Sequence, residues 1–350
     1  MESGTIEQTL PGLETMTPQT GLEVGRAIAL SPQKRLMLFA GRSNPALAQR
    51  IAEHLDIELG RAKLKTFPDG ETYCRYEESI RGADMFIVQT ACDPLDRNLV
   101  ELLIMINAAR LASAKRITAV VPWYFYSRQD KKSRPREPIT ARLVADLLEA
   151  AGADRVLTMD LHAGQVQGFF RIPVDHMTAV PMFAQYVRDL NLEGDVAVVS
   201  PDTGRTKLAS KFADMIGGDL VVLNKERPEH NVARVTAVIG DVAGKIAVMT
   251  DDAIDTAGTL VAGAAALKEA GALKVYACAT HGLFNGPALE RIAGSAIDKL
   301  VVTDTVPVDP LTKPENVEVL SVAGILAETI QNVFADDSVS AIFAGENQLF

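Results

Sequence analysis

The run Lys245-Ile246-Ala247-Val248-Met249-Thr250-Asp251-Asp252-Ala253-Ile254-Asp255-Thr256-Ala257-Gly258-Thr259 decides the fold. Its first part, Lys245 to Thr250, is apolar between its ends without alternation, which predicts a strand covered on both faces. The polar part, Asp251 to Thr259, falls at the carboxyl end of that strand. An Ala-rich segment from Thr259 to Ala270 follows and stops at Gly271, which predicts a helix closed by a left-handed glycine. Strand, polar loop and helix make the unit of an open parallel sheet, and such sheets bind ligands outside the carboxyl ends of their strands.

Working outward, the same alternation runs from Arg35 onward. Strands are expected at Leu36 to Ala40, Met85 to Gln89, Ile117 to Val121, Val156 to Met159, Val196 to Val199, Leu220 to Leu223, Ile246 to Met249 and Val275 to Ala279. Helices fit between them. Pro45 to Leu55 opens with Pro after Asn44, and Ile139 to Ala150 follows Pro138 and ends at Gly152. The class is α/β, and eight runs suit two sheets, with a boundary near residues 172 to 181 where Pro173 and Pro181 bracket a segment.

A chain of 350 residues is long enough for two domains. The net charge of -10 disfavours attraction to nucleic-acid backbones or anionic membranes, so no nucleic-acid or membrane partner is expected and small-molecule chemistry is. Cys74, Cys92 and Cys278 are far apart and form no CxxC pair, which suggests neither a zinc site nor a disulfide framework. The longest apolar stretch, Leu99 to Leu111, is broken by Glu101, Asn107 and Arg110 and predicts an amphipathic helix. Residues 1–33 have no apolar core of a targeting peptide and are expected to be a disordered extension of a cytoplasmic protein.

In the opening run, Thr256, Ala257, Gly258 and Thr259 are small. Their amides and hydroxyls suit a phosphate, whose charge the following helix N-terminus also favours. Asp251 and Asp252 suit vicinal sugar hydroxyls or a divalent cation, since a phosphate repels carboxylates. An acidic Asx-turn with an N-cap has the same bare pattern.

Other loops carry further chemistry. Arg128-Gln129-Asp130-Lys131-Lys132-Ser133-Arg134-Pro135-Arg136 places five cations within nine residues of an acidic protein, an island suited to a polyphosphate and also to a solvated surface. Phe67-Pro68-Asp69-Gly70-Glu71 contains a strong turn tripeptide. Met159-Asp160-Leu161-His162 puts a histidine beyond a strand end, and Ser200-Pro201-Asp202-Thr203-Gly204 ends another strand. Asn224-Lys225-Glu226-Arg227-Pro228 leaves the strand ending at Leu223 for a polar loop with His230 and Asn231. There Lys225 and Arg227, one spacer apart, suit a single developing charge.

The opening run resembles the phosphoribosyl signature of type I phosphoribosyltransferases. All these segments together, in order from about Leu36 to Phe343, resemble the ribose-phosphate pyrophosphokinases of the bacterial, phosphate-dependent kind. The resemblance implies two phosphoribosyltransferase-like domains, each an open mostly parallel sheet flanked by helices. They would span 34–178 on the ATP side and 179–350 on the ribose 5-phosphate side, with the final helix and tail a candidate to pack on the first.

The resemblance also implies ATP binding by Phe67, Asp69, Gly70, Glu71, Arg128 and Gln129, the hairpin group often acting across a subunit boundary. It implies ribose 5-phosphate binding by Arg227, Asp251, Asp252, Asp255, Thr256, Ala257, Gly258 and Thr259. Lys225 and Arg227 would be catalytic, and His162 and Asp202 would hold Mg²⁺, which prefers oxygen ligands and needs ATP oxygens to complete such a site. A homohexamer, with ADP and phosphate as allosteric effectors and Ser338 to Phe343 contributing to their site, is implied as well. Pro68, Thr66 and Glu226 depart from the family pattern.

The implied activity is transfer of the diphosphoryl group of ATP to ribose 5-phosphate for nucleotide biosynthesis. An ordinary phosphoribosyltransferase would lack the Arg128, His162 and Lys225 segments. A catalytically silent regulatory homologue would show losses or insertions in the basic and Lys225 loops, and this chain shows neither.

Overall fold

The computed structural model describes residues 34–229 and 232–340, with backbone alone at 225–229 and 232–236. The N-terminal extension, His230, Asn231 and residues 341–343 of the C-terminal segment lie outside the described residues. In chain order, β1 (Leu36–Ala40) is followed by a separate hairpin, β2 (Ala62–Thr66) and β3 (Thr72–Tyr76). Next come β4 (Asp84–Val88), β5 (Arg116–Val121), β6 (Arg155–Met159) and β7 (Val174–Met177). Strands β1, β4, β5, β6 and β7 lie side by side in that order as a five-stranded sheet, every pairing parallel.

The second half contributes β8 (Val196–Ser200), β9 (Asp219–Glu229), β10 (Val232–Ile239), β11 (Ile246–Ile254), β12 (Lys274–Gly282), β13 (Lys299–Thr303) and β14 (Val317–Leu320). They form a seven-stranded sheet in the order β10-β9-β8-β11-β12-β13-β14, in which only β10 runs antiparallel to its neighbour. Flanking these sheets are α1 (Pro45–His54), α2 (Leu95–Leu111), α3 (Thr140–Ala151), α4 (Val180–Asp189), α5 (Thr206–Ile216), α6 (Gly258–Glu269), α7 (Ala288–Ala293) and α8 (Ala323–Ala335). The expected α/β class, a parallel sheet flanked by helices, is the observed one.

Local chemistry sets the helix ends. The Asn44 side chain accepts a hydrogen bond from the Leu47 amide at 3.2 Å ahead of Pro45. Helix α3 stops where Gly152 turns left-handed, at φ 115°. All eight expected strands form, and six more accompany them among the described residues. The β2–β3 hairpin is polar and largely exposed, and β7 and β14 are four-residue edge strands, so none carries a buried-strand pattern. β13, in contrast, has the same apolar signal as its neighbours.

β9 does not give way to a loop at Leu223. It continues to Glu229 because β10 pairs with it, Lys225 opposite Val235 and Glu226 opposite Arg234. β8 already ends at Ser200, opposite Val222, so this polar stretch extends past β8, where a reading keyed to buried strands fails.

One hydrophobic core is shared by both sheets. It joins Leu38, Phe86, Val120 and Leu157 of the first to Val198, Val248, Cys278 and Val301 of the second, through Leu47 and Ile51 of α1, Phe183 of α4, Phe212 of α5 and Ile330 of α8. Helix α8, the last among the described residues, thus packs on α1. Beyond it, Asp336 meets Arg116 of β5 at 2.6 Å, and Arg116 also pairs with Asp84 at 2.8 Å. Asp304, just after β13, binds Arg50 of α1 at 2.8 Å and accepts from the Val322 amide at 2.8 Å. A large apolar interface of this kind holds two lobes rigidly, so the loops at their strand ends keep fixed positions. No helix among the described residues is long and apolar enough to cross a membrane.

Candidate active site

Loops from the carboxyl ends of β5 and β6 in one sheet and of β8 and β11 in the other border one cleft. Arg128, His162, Asp202, Arg205 and the segment Asp251 to Thr259 line it, about 340 Å³ in volume. β11 carries Asp251 and Asp252 as strand residues before the chain turns at Asp255. Ala257 takes a left-handed backbone, φ 59°, immediately before α6 starts at Gly258. A non-glycine residue held there costs of order 1–3 kcal/mol, a strain that the buried Ala257 side chain and the β11 and α6 packing sustain. The first amides of α6 have no partner within the helix and are suited to an anion.

A four-residue charge cluster sits at the foot of this loop. The His162 Nδ1 is 2.6 Å from Asp252 Oδ2, and Arg205 Nη2 is 2.8 Å from Asp252 Oδ1. Arg205 Nε also reaches Asp251 Oδ1 at 3.5 Å. Burial opposes ionisation of Asp252, but the His162 hydrogen bond and the Arg205 charge outweigh it and hold the carboxyl below its usual range. Burial and the Asp252 charge raise Asp251 against the pull of Arg205. Arg205 is itself buried, yet Asp252 and Asp251 keep it charged.

These directions fix a tautomer. A 2.6 Å contact between an imidazole nitrogen and a carboxylate needs a proton between them, and with Asp252 ionised it resides on His162 Nδ1. In the neutral ring this leaves Nε2 as the nitrogen able to donate to a metal. Asp202 Oδ1 accepts from the Gly204 amide at 3.0 Å. Among the described residues no group of three or more His, Cys, Asp or Glu is arranged to hold a metal. His162 and Asp202 both border the cleft, and a Mg²⁺ held by these two would need substrate oxygens and water to complete its set.

The basic loop reaches the same place. Arg128 Nη1 meets Asp255 Oδ2 at 2.5 Å across 127 residues, and Asn285 donates to Asp255 Oδ1 at 2.6 Å. Burial raises Asp255, but these two partners win and keep it ionised. Arg291 donates to the Thr256 carbonyl at 2.9 Å. On its other side Arg128, with Gln129, borders a second cleft of about 550 Å³ walled by Trp123, Tyr126, Leu95 and Val306. The Gln129 side chain accepts from Thr140 Oγ1 at 2.6 Å, tying the loop to the start of α3.

Phe67, Asp69, Gly70 and Glu71 stand apart from both clefts, at the tip of the β2–β3 hairpin. Phe67 is 44% exposed and Gly70 takes φ 96° to close the turn. Lys225 and Arg227 lie on β9, and the structure describes their backbone only. Sequence reading passed over Arg205, Asn285 and Arg291. Arg205 follows directly on the quoted Ser200 to Gly204 segment, and a cation three residues past a carboxylate at a strand end was the available signal.

Residues 36–152 match the family model of the N-terminal domain of ribose phosphate pyrophosphokinase, and residues 219–344 match that of a phosphoribosyl synthetase-associated domain. A ribose-phosphate pyrophosphokinase of Caldanaerobacter subterraneus is 52% identical over 308 residues, 88% of this chain and 98% of that one. The chain belongs to the ribose-phosphate pyrophosphokinase family. A second member, from Clostridium perfringens, is 50% identical over 89% of this chain and 98% of its own. The crystal structure of phosphoribosylpyrophosphate synthetase from Mycobacterium smegmatis superposes with a TM-score of 0.82 at 46% identity, covering 87% of this chain and all of that one. Family likeness therefore extends over both sheets and the loops between them.

Proposed function

We infer that the chain transfers the diphosphoryl group of Mg-ATP to the 1-hydroxyl of ribose 5-phosphate, giving phosphoribosyl pyrophosphate and AMP. The observation that supports this most is the Arg128–Asp255 pair: the loop suited to a polyphosphate touches the loop suited to a sugar phosphate, as neighbouring donor and acceptor sites require. The acceptor phosphate lies on the small residues Thr256 to Thr259 at the start of α6, with Asp251, Asp252 and Asp255 on the sugar side. Arg128 and Gln129 align the nucleotide. Lys225 and Arg227, on the β9–β10 ribbon that extends past β8, meet charge that develops in the transition state, and Arg227 also meets the acceptor.

Phosphoryl transfer needs in-line placement and charge neutralisation more than a protein nucleophile. His162 and Asp202 would hold Mg²⁺, which supplies neutralising charge on the transferred phosphoryl oxygens. The rest of the mechanism belongs to side chains. Asp252 fixes the His162 tautomer, and Arg128 spans both substrates.

The units 34–178 and 179–350 act as nucleotide and acceptor lobes that share a core. Phe67, Asp69, Gly70 and Glu71 face outward on their hairpin, which suits a nucleotide site completed by a second copy and hence a homo-oligomer, a hexamer in this reading. ADP and phosphate fit as effectors, and the cytoplasm as the location. Purified protein with Mg-ATP and ribose 5-phosphate should yield AMP and phosphoribosyl pyrophosphate in equal amounts, measured with and without inorganic phosphate. No AMP under either condition would overturn the enzyme reading in favour of a silent homologue.

A further inference from the structure

We propose that Arg205 is a positioning residue of the acceptor site: it clamps both aspartates, reserving Asp252 for His162 and presenting Asp251 alone to the sugar hydroxyls. The proposal deepens the reading given above and rests on it.

Two adjacent carboxylates on one strand repel each other and, if both are to accept from a sugar, both need a way out of the protein. The structure denies Asp252 that way. Its side chain is 6% exposed, and its two oxygens are taken, one by His162 at 2.6 Å and one by Arg205 at 2.8 Å. Asp251 differs. Both aspartates border the cleft, but the Asp251 side chain is 23% exposed and its contact with Arg205 is long, at 3.5 Å. One guanidinium thus uses Nη2 for the inner carboxylate and Nε for the outer one. A planar fork offers two directed donors at fixed spacing, which an ammonium does not.

Arg205 has the burial this role requires. Its side chain is 17% exposed, and it stands one residue before α5, in the short turn that Asp202 caps. That turn places it beneath the β11 end. Nη2 lies 3.4 Å from His162 Nδ1, and since that nitrogen carries the proton donated to Asp252, both groups donate and converge on the same carboxylate. A carboxylate held by two charged or polar donors cannot rotate towards a ligand without leaving both partners unpaired in a buried site, which is costly. The aspartate pair is therefore divided into an inner orienting group and an outer binding group.

Below the cluster, Arg205, Thr250, Asp251 and Asp252 border a small enclosed space of about 20 Å³, and Thr250 Oγ1 has no protein partner there. Such a space holds about one water molecule.

The test is titration of ribose 5-phosphate into the full chain saturated with magnesium and α,β-methylene-ATP, which cannot transfer its diphosphoryl group. Arg205→Gln should weaken ribose 5-phosphate binding about tenfold or more, the loss of one charged hydrogen-bond network, while affinity for the nucleotide analogue moves less than about threefold. Arg205→Lys should recover part of the loss, because charge returns without the fork. Asp251→Asn introduced into Arg205→Gln should cost less than in the wild-type background, as the two act through one contact. Equal loss of sugar and nucleotide affinity, additive effects, or no effect in Arg205→Gln would overturn the clamp.

Should Arg205→Gln not fold, a crystal structure of the wild-type chain with ribose 5-phosphate decides alone. Asp251 within hydrogen-bond reach of the sugar, with Asp252 still on His162 and Arg205, supports the division, and a sugar bound to Asp252 ends it. Wild-type protein that takes up no ribose 5-phosphate would instead defeat the functional reading itself.

Discussion

The loop at Asp251 to Thr259 and the hairpin at Phe67 to Glu71 were both expected to bind substrate, and the fold treats them in opposite ways. The first is enclosed. Its carboxylates are tied to His162, Arg205, Arg128 and Asn285, side chains drawn from four other strand ends of both sheets. The hairpin strands pack on the core through residues such as Leu64 and Tyr76, but the tip is held mainly by its own turn. The Phe67 amide donates to the Glu71 carbonyl at 2.8 Å, the Gly70 amide to the Phe67 carbonyl at 2.9 Å, and the Glu71 amide to the Asp69 side chain at 3.1 Å. Phe67 on that turn is 44% exposed and meets Tyr73 edge-on at 5.8 Å. The contrast is between a loop whose partners all come from its own chain and a turn that, in the function proposed above, would meet its nucleotide only with a second copy.

The sharpest way to break that contrast is at the ribbon that serves neither region alone. Lys225→Ala should lower kcat by about 10²–10³-fold, as loss of one preorganised donor to transition-state charge does, while ribose 5-phosphate binding in single titrations changes far less. Losses of equal size in both would move Lys225 into ground-state binding.

Next in size is an acid sensitivity confined to the enclosed region. Burial pushes the His176 imidazole from 6.5 down to about 4, and its Nε2 accepts from the Leu161 amide at 2.9 Å, one residue before His162. The folded state binds this proton more weakly than the unfolded chain. The stabilisation is thus complete above pH 6.5 and is lost as pH falls towards 4, by up to about 3 kcal/mol. Denaturant titrations across that window should show the fall, and His176→Gln should flatten it. An unchanged slope in the variant would remove His176 as the cause.

Smaller again, Asp255→Asn should raise KM for both substrates about tenfold, roughly 1.4 kcal/mol, because the same carboxylate meets Arg128 and Asn285. An effect on ribose 5-phosphate alone would separate the two loops. The least is Phe67→Ala, which should raise KM for ATP several-fold through lost stacking, of order 1 kcal/mol, and leave the melting temperature alone since the ring is exposed. Mixing Phe67→Ala with Lys225→Ala subunits should restore part of the activity if each hairpin serves a neighbour. No recovery would place the hairpin with its own chain and cancel the comparison.

Legibility followed burial. Strands such as Ile117 to Val121 and Val156 to Met159 were readable because both faces are covered and the apolar run is unbroken. The helix ends at Asn44 and Gly152 were readable because caps are local chemistry. The hairpin strands Ala62–Thr66 and Thr72–Tyr76 were not, because they alternate over only five residues and are at most half-buried, and the outer part of Asp219–Glu229 is polar in sequence. In the cleft, the loop residues were found by their order along the chain. Arg205 was not, since its importance comes from what folds over it.

The sequence by itself determined the α/β class, the family and the loop that suits a sugar phosphate, because apolar runs, small residues and carboxylates at a strand end carry those properties over a dozen neighbouring residues. Only the tertiary structure decided which aspartate is buried and which is open, and that Arg128 reaches Asp255. Those outcomes depend on side chains more than forty and more than a hundred positions away, brought within 3 Å by a core that two sheets share. Spacing along a chain holds no record of such distances.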